Sequence, residues 1–144
     1  MMLHSTGHPP ERIRLPAALG NLRALLQFID DYGAGIGLEE RSRQQVELAA
    51  DEMLTNIIQY AFPERDGDIT VSCSIDPLDR LSVEIVDGGI PFNPLEAESP
   101  SLHSGIEERG IGGLGILLAR KEVDAMGYRR ESGLNILTMY KRIP

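Results

Sequence analysis

The period of the hydrophobic positions changes several times along this chain, and each change marks an element. Glu11 to Leu15 alternates polar and apolar residues, which predicts a short strand. Pro16 follows, where a helix can begin. Leu19, Leu22, Leu25, Leu26 and Ile29 then recur at spacings of three and four, predicting an amphipathic helix over 17–31. Gly33, Gly35 and Gly37 are expected to end it and form a loop. A longer helix is predicted from about Leu38 to Ala61, carried by Val46, Ala49, Ala50, Met53, Leu54, Ile57 and Ile58.

Beyond a polar turn at 63–67 the period shortens to two. Ile69, Val71, Cys73 and Ile75 alternate with polar residues, and Leu81, Val83 and Ile85 do the same after the turn Asp76-Pro77-Leu78-Asp79. The two runs predict an antiparallel hairpin. Residues 88–112 hold five glycines and three prolines and show no period, as expected of a binding loop or lid. Helical spacing returns over 113–126 through Leu114, Leu117, Leu118 and Met126, with Gly127 as the expected stop. Tyr128 to Glu131 and Leu134 to Arg142 make a terminal hairpin around Ser132-Gly133. The resulting class is α+β, a mostly antiparallel sheet with helices on one face. Residues 1–10, with Gly7, Pro9 and Pro10, are expected to be a flexible tail, and 11–144 one domain.

Composition narrows the chemistry. A net charge of -8 argues against general nucleic-acid binding, which needs a basic face. It leaves room for a nucleotide, because backbone N–H groups can make a site locally electropositive. A single cysteine, Cys73, excludes an internal disulfide. His4, His8 and His103 have no Cys or carboxylate at metal-binding spacing. No apolar run approaches the roughly 20 residues of a membrane span, and no signal-peptide core opens the chain. The expectation is a cytoplasmic protein without direct membrane or nucleic-acid contact.

Three segments carry candidate chemistry. Glu52 and Asn56 lie four apart and so share a helix face. Such a pair in isolation is usually a solvated stripe. Among apolar neighbours it can supply a neutral oxygen ligand for Mg²⁺ from Asn56 and a base from Glu52. Asp87-Gly88-Gly89 closes the second hairpin strand. Asp-Gly is by itself a turn signal. A carboxylate at the end of a buried strand, however, needs a partner, and the exocyclic amine of adenine is one. Gly89, lacking a Cβ, lets a flat base approach the backbone. Gly110-Ile111-Gly112-Gly113-Leu114-Gly115 leads into the third helix, where N–H groups and the helix dipole favour an anion. No Gly-Lys-Ser/Thr follows, so it is not a P-loop. No strand precedes it, so it is not a dinucleotide fingerprint.

In this order the segments resemble those of the histidine-kinase-like ATPases, the GHKL superfamily with the Bergerat fold. The nearest resemblance within it is to the anti-sigma-factor serine/threonine kinases. Asp51 to Ala61 is similar to the N box, Asp87 to Pro94 to the first glycine box, and Gly110 to Arg120 to the second. Asn135-Ile136-Leu137-Thr138-Met139 is similar to the closing strand that brings a threonine to the adenine. The resemblance implies a two-layer α/β sandwich that binds ATP and Mg²⁺. Asn56 would hold the metal and Glu52 would be the catalytic base. Asp87, Gly89 and Thr138 would form the base pocket, and Gly110, Gly112, Gly113, Leu114 and Gly115 would contact phosphates. Residues 93–110 would be the lid. The implied function is phosphorylation of a small STAS-type antagonist, with control of a sigma factor by partner switching and a homodimer as one assembly. A nucleotide-responsive binding module without transfer activity is the alternative.

Overall fold

A computed structural model of the protein describes residues 8–98 and 118–144. Among the described residues five strands form one sheet: β1 (Glu11–Pro16), β2 (Asp68–Ile75), β3 (Arg80–Asp87), β4 (Ala125–Glu131) and β5 (Leu134–Arg142). Their spatial order is β1-β2-β3-β5-β4, and all four ladders are antiparallel. Two long helices, α1 (Leu22–Gly35) and α2 (Glu40–Tyr60), cover one face of it. The architecture is of the α+β class that the periodicity predicts, in the two-layer arrangement that the resemblance implies.

The core lies between these layers. Ile69, Val71 and Cys73 of β2 and Leu81, Val83 and Ile85 of β3 are almost wholly inaccessible to solvent. The register sets Val71 opposite Ile85 and Cys73 opposite Val83. Since side chains alternate between faces, a single register aligns both apolar stripes towards the helices. From α1 come Leu25, Leu26, Ile29 and Tyr32, and from α2 Val46, Ala49, Ala50, Met53, Leu54 and Ile57. Ala49 and Ala50 leave room for the larger residues around them, as close packing requires.

The observed elements differ from expectation at three places. The first helix is preceded by a 3-10 turn at Leu19–Asn21, in which Leu19 is 57% exposed. It also runs through Gly33 and Gly35 and stops one turn later than expected. The stop is made by Gly37 alone, at φ +84°. There the Leu38 N–H donates to the Gly33 carbonyl at 2.9 Å and the Gly37 N–H to the Ala34 carbonyl at 3.1 Å. This closing pattern needs one left-handed residue, which glycine adopts without steric cost. Arg43 of α2 then bonds Asp30 at 3.0 Å and the Leu38 carbonyl at 2.7 Å, fixing the two helices to each other.

The third difference is in the last helix. Residues 118–122 are helical, but Ala125, Met126 and Gly127 belong to β4, so Gly127 does not end the helix. Met126 has helical spacing from Leu118 and is equally placed for a strand opposite Met139. Sheet pairing outweighs the local spacing here. Ala119 and Val123 join the core, so this crossover returns on the same face as α1 and α2. The strand β5 lies between β3 and β4, which therefore run in the same direction.

Burial pushes the Cys73 thiol up to about 12. As thiolate is the reactive form, the native protein is expected to react with a thiol reagent at pH 8 only as fast as it unfolds. Stoichiometric labelling within seconds in native buffer would contradict this packing.

Candidate functional site

The apolar rows of the sheet end in a polar one. Along the helix-facing side, Ile69 of β2 stands opposite Asp87 of β3, Asp87 opposite Asn135 of β5, and Asn135 opposite Arg130 of β4. Asp87 is 2% exposed and Asn135 3%. A carboxylate so deeply placed needs donors, and Oδ1 has two. The Gly89 N–H donates to it at 2.8 Å and the Asn135 Nδ2 at 2.9 Å. Burial pushes the Asp87 carboxyl above its ordinary value, against the opposing pull of Asn135, the Gly89 amide and the Arg130 charge.

Asn135 is the centre of this row. Its Nδ2 also donates to the Ile90 carbonyl at 2.8 Å. Its Oδ1 accepts from the Tyr128 hydroxyl at 2.5 Å, Arg130 Nη1 at 3.0 Å and the Phe92 N–H at 3.2 Å. Arg130 Nη1 reaches the Gly89 carbonyl as well, at 2.9 Å. The hairpin β4–β5 thus fastens the segment 89–92.

The C-terminal end of α2 fastens the same segment from the other side. The Ile90 N–H donates to the Ala61 carbonyl at 2.9 Å. A Cβ on Gly89 would stand 2.2 Å from that carbonyl oxygen. Gly89 is therefore required for the contact between strand end and helix end, a different reason from the base approach expected of it. The Tyr60 and Phe92 rings, 5.9 Å apart, lie at the same junction.

About a turn and a half before Ala61 on α2 comes the expected polar pair. Asn56 is 7% exposed and Glu52 half-buried. Asn56 Nδ2 donates to the Glu52 carbonyl at 2.7 Å and to Glu52 Oε2 at 3.1 Å. With its amide nitrogen so engaged, Asn56 keeps Oδ1 as an acceptor, the kind of oxygen a hard cation takes. Leu48, an apolar neighbour in the sequence, is 60% exposed and takes no part.

Thr138, also expected at the site, is placed differently. Thr138 stands opposite Glu84 and Gly127, on the sheet face away from Asp87. The structure does not bring it to the Asp87 row. Gly110, Gly112, Gly113, Leu114 and Gly115 lie outside the described residues, as does the lid beyond residue 98. A groove of about 890 Å³ touches Asp87 but not Glu52 or Asn56; Arg14, Thr70, Val86 and Leu134 line it on the sheet face opposite the helices. The residues that sequence reasoning passed over are Asn135, Tyr128 and Arg130. The signal for Asn135 was present: an amide in the alternating positions 135, 137 and 139, whose other members are apolar.

These features define an ATPase-type sandwich with a paired Glu and Asn on a core helix and a buried Asp at a strand end. The chain belongs to the histidine kinase-like ATPase domain family, whose model matches residues 15–141. It is 34% identical over 100 residues to a serine/threonine-protein kinase, BtrW, of Bordetella bronchiseptica, covering 69% of this chain and 70% of that protein. It is 26% identical over 106 residues to a serine-protein kinase, RsbW, of Bacillus mycoides, covering 71% of this chain but just under two thirds, 66%, of that protein. A crystal structure of the RsbU and RsbW domains of a Mycobacterium tuberculosis protein superposes with a TM-score of 0.66 at 17% identity, over 94% of this chain and 32% of that one. This likeness establishes the fold. Among the described residues no helix is long and apolar enough to cross a membrane.

Two outcomes test this geometry. Gly89→Ala is expected to cost about 1–3 kcal/mol through the clash with Ala61, read by urea unfolding; an unchanged midpoint would contradict it. For Asp87, the folded pKa lies above the unfolded value of about 3.9. Its contribution to stability is thus complete below that value and is lost as pH rises through the folded pKa. Asp87→Asn keeps an acceptor for Gly89 and Asn135 without the buried charge. It is expected to melt at or above wild type at pH 7, with the gap closing towards pH 4. A clearly lower Tm at pH 7 would refute the assignment.

Proposed function

We propose that the chain is an ATP-dependent protein serine/threonine kinase of the anti-sigma-factor type, acting on a small STAS-type antagonist and controlling a sigma factor by partner switching. The observation that carries this reading is the pair of oriented polar groups at the α2–β3 junction. Asp87 is anchored through one oxygen, and Asn56 is turned by Glu52 so that, among the described residues, its own oxygen has no donor. The kinase names of the related proteins support it.

In this reading Asp87 accepts the adenine amine. Asn56 is the residue that would hold Mg²⁺, which neutralises phosphate charge when bound. Gly110, Gly112, Gly113, Leu114 and Gly115 supply phosphate contacts from the second glycine segment. Glu52 takes the proton of the attacking serine or threonine hydroxyl. As the new O–P bond forms, the bond from the γ-phosphorus to the bridging oxygen breaks and ADP leaves. Gly89 serves by holding the first loop residues against Ala61, and the role of Thr138 is left to the other face of the sheet.

One observation favours the second reading, a nucleotide-responsive binding module. The Glu52 carboxylate is already engaged with Asn56, so it can act by orienting the metal ligand rather than by taking a proton. The two roles separate in Glu52→Gln, which retains an acceptor for Asn56 but is no base.

The test is labelled Mg-ATP with this protein and a STAS-type protein encoded beside it. Wild type is expected to place phosphate on serine or threonine of the antagonist, and Asn56→Ala to abolish this. Glu52→Gln is expected to bind ATP but lose about 10²–10⁴-fold in transfer, the usual worth of a general base. Wild type that binds ATP and never phosphorylates the antagonist leaves only the binding module. Calorimetry with no Mg-ATP or Mg-ADP binding at millimolar concentration removes both.

A further inference from the structure

Asn135 is tied to more partners than any role as a strand residue requires. Its amide orientation is determined by them. Three donors converge on Oδ1: the Tyr128 hydroxyl, Arg130 and the Phe92 N–H. Two acceptors face Nδ2: Asp87 Oδ1 and the Ile90 carbonyl. A flipped amide would set its NH₂ against three donors and its oxygen against two acceptors. Only one orientation satisfies the site, and in it Asn135 is a donor to Asp87.

The consequence falls on Asp87. Oδ1 already accepts from Gly89 and Asn135, while among the described residues nothing donates to Oδ2. An ionised carboxylate oxygen is an acceptor alone. Adenine carries an amine at the position where guanine carries a carbonyl. Oδ2 can therefore pair with the adenine amine, but it would meet the guanine carbonyl lone pair to lone pair. A buried polar group left facing such a mismatch discriminates strongly. The donors on Oδ1 also favour the ionised carboxylate, against burial that opposes charge. Without them the group takes a proton more readily, and a protonated carboxyl can donate to a carbonyl.

We propose that Asn135, locked by Tyr128 and Arg130, is a positioning residue that leaves only Oδ2 of Asp87 for the base, and so sets the preference for adenine over guanine. This rests on the nucleotide reading given above. Asn135 acts through Asp87 and need not touch the nucleotide itself. The same bonds tie the base site to the segment that follows β3, through Ile90 and Phe92.

The experiment is calorimetric titration of the full chain with Mg-ADP and with Mg-GDP. Wild type is expected to prefer ADP. Asn135→Leu is expected to lower the ADP-to-GDP affinity ratio by about tenfold or more, the worth of a hydrogen bond to a charged group. Asn135→Thr, which retains a donor, is expected to recover part of that ratio. A purely structural role would weaken both nucleotides alike, so an unchanged ratio in Asn135→Leu overturns the proposal. Should Asn135→Leu fail to fold by circular dichroism, Tyr128→Phe takes its place. It removes one of the three donors and is expected to move the ratio the same way by a smaller factor; no movement then overturns the proposal. Wild type that binds both nucleotides equally overturns it too, with nucleotide binding itself intact. Wild type that binds no Mg-ADP ends the nucleotide reading and this inference with it.

Discussion

The hydrogen bond between Asn135 and Asp87 is the interaction around which the functional end of this molecule is organised. An unpaired carboxylate in that position would be costly. Of the two donors on Oδ1, the Gly89 amide is local to β3, whereas Asn135 comes from β5 and is itself held by Arg130 of β4, so the arrangement needs β3, β5 and β4 in one register. A one-residue slip in either ladder would turn the slipped strand's polar residue to the opposite face. The apolar rows beneath, Val71 with Ile85 and Leu137, and Cys73 with Val83 and Met139, enforce the same register through burial. Core and site therefore agree on one alignment, and each penalises departure from it.

The second constraint is the closeness of strand end and helix end. Gly89 meets the Ala61 carbonyl at a distance that tolerates no side chain. The adjacent Ile90 amide caps that carbonyl, one of the free acceptors at a helix C-terminus. This single contact fixes α2, and with it Glu52 and Asn56, relative to Asp87. The segment 89–92 is held by α2 on one side and by the β4–β5 hairpin on the other.

Much of this was legible in the sequence. The helix α2 and the strands β2 and β3 follow from clean periods of 3.6 and 2, and the two-layer class follows from them. Glu52, Asn56 and Asp87 stood out as polar residues at positions whose neighbours are apolar. Gly37 and Gly89 were visible as glycines, but their reasons were not. The first depends on which of three glycines takes a positive φ, and the second on a carbonyl 28 positions earlier in the chain. Gly127 misled because a glycine after helical spacing suggests a stop, whereas its place in β4 is set by pairing with β5.

The periods, the class of fold and the identity of the polar residues that interrupt apolar runs can all be read along the chain. These are local properties, fixed by spacing along one element and by the cost of burying charge. Only the tertiary structure decided which of them meet. Thr138 lies three residues from Asn135, but the alternation of a strand assigns odd separations to opposite faces, and the register joins Asn135 to Asp87 and Thr138 to Glu84. The local pattern marks Asn135 as the polar member of an apolar row, but register is set by the packing of strands distant in sequence, and only register shows that Asn135 rather than Thr138 meets Asp87.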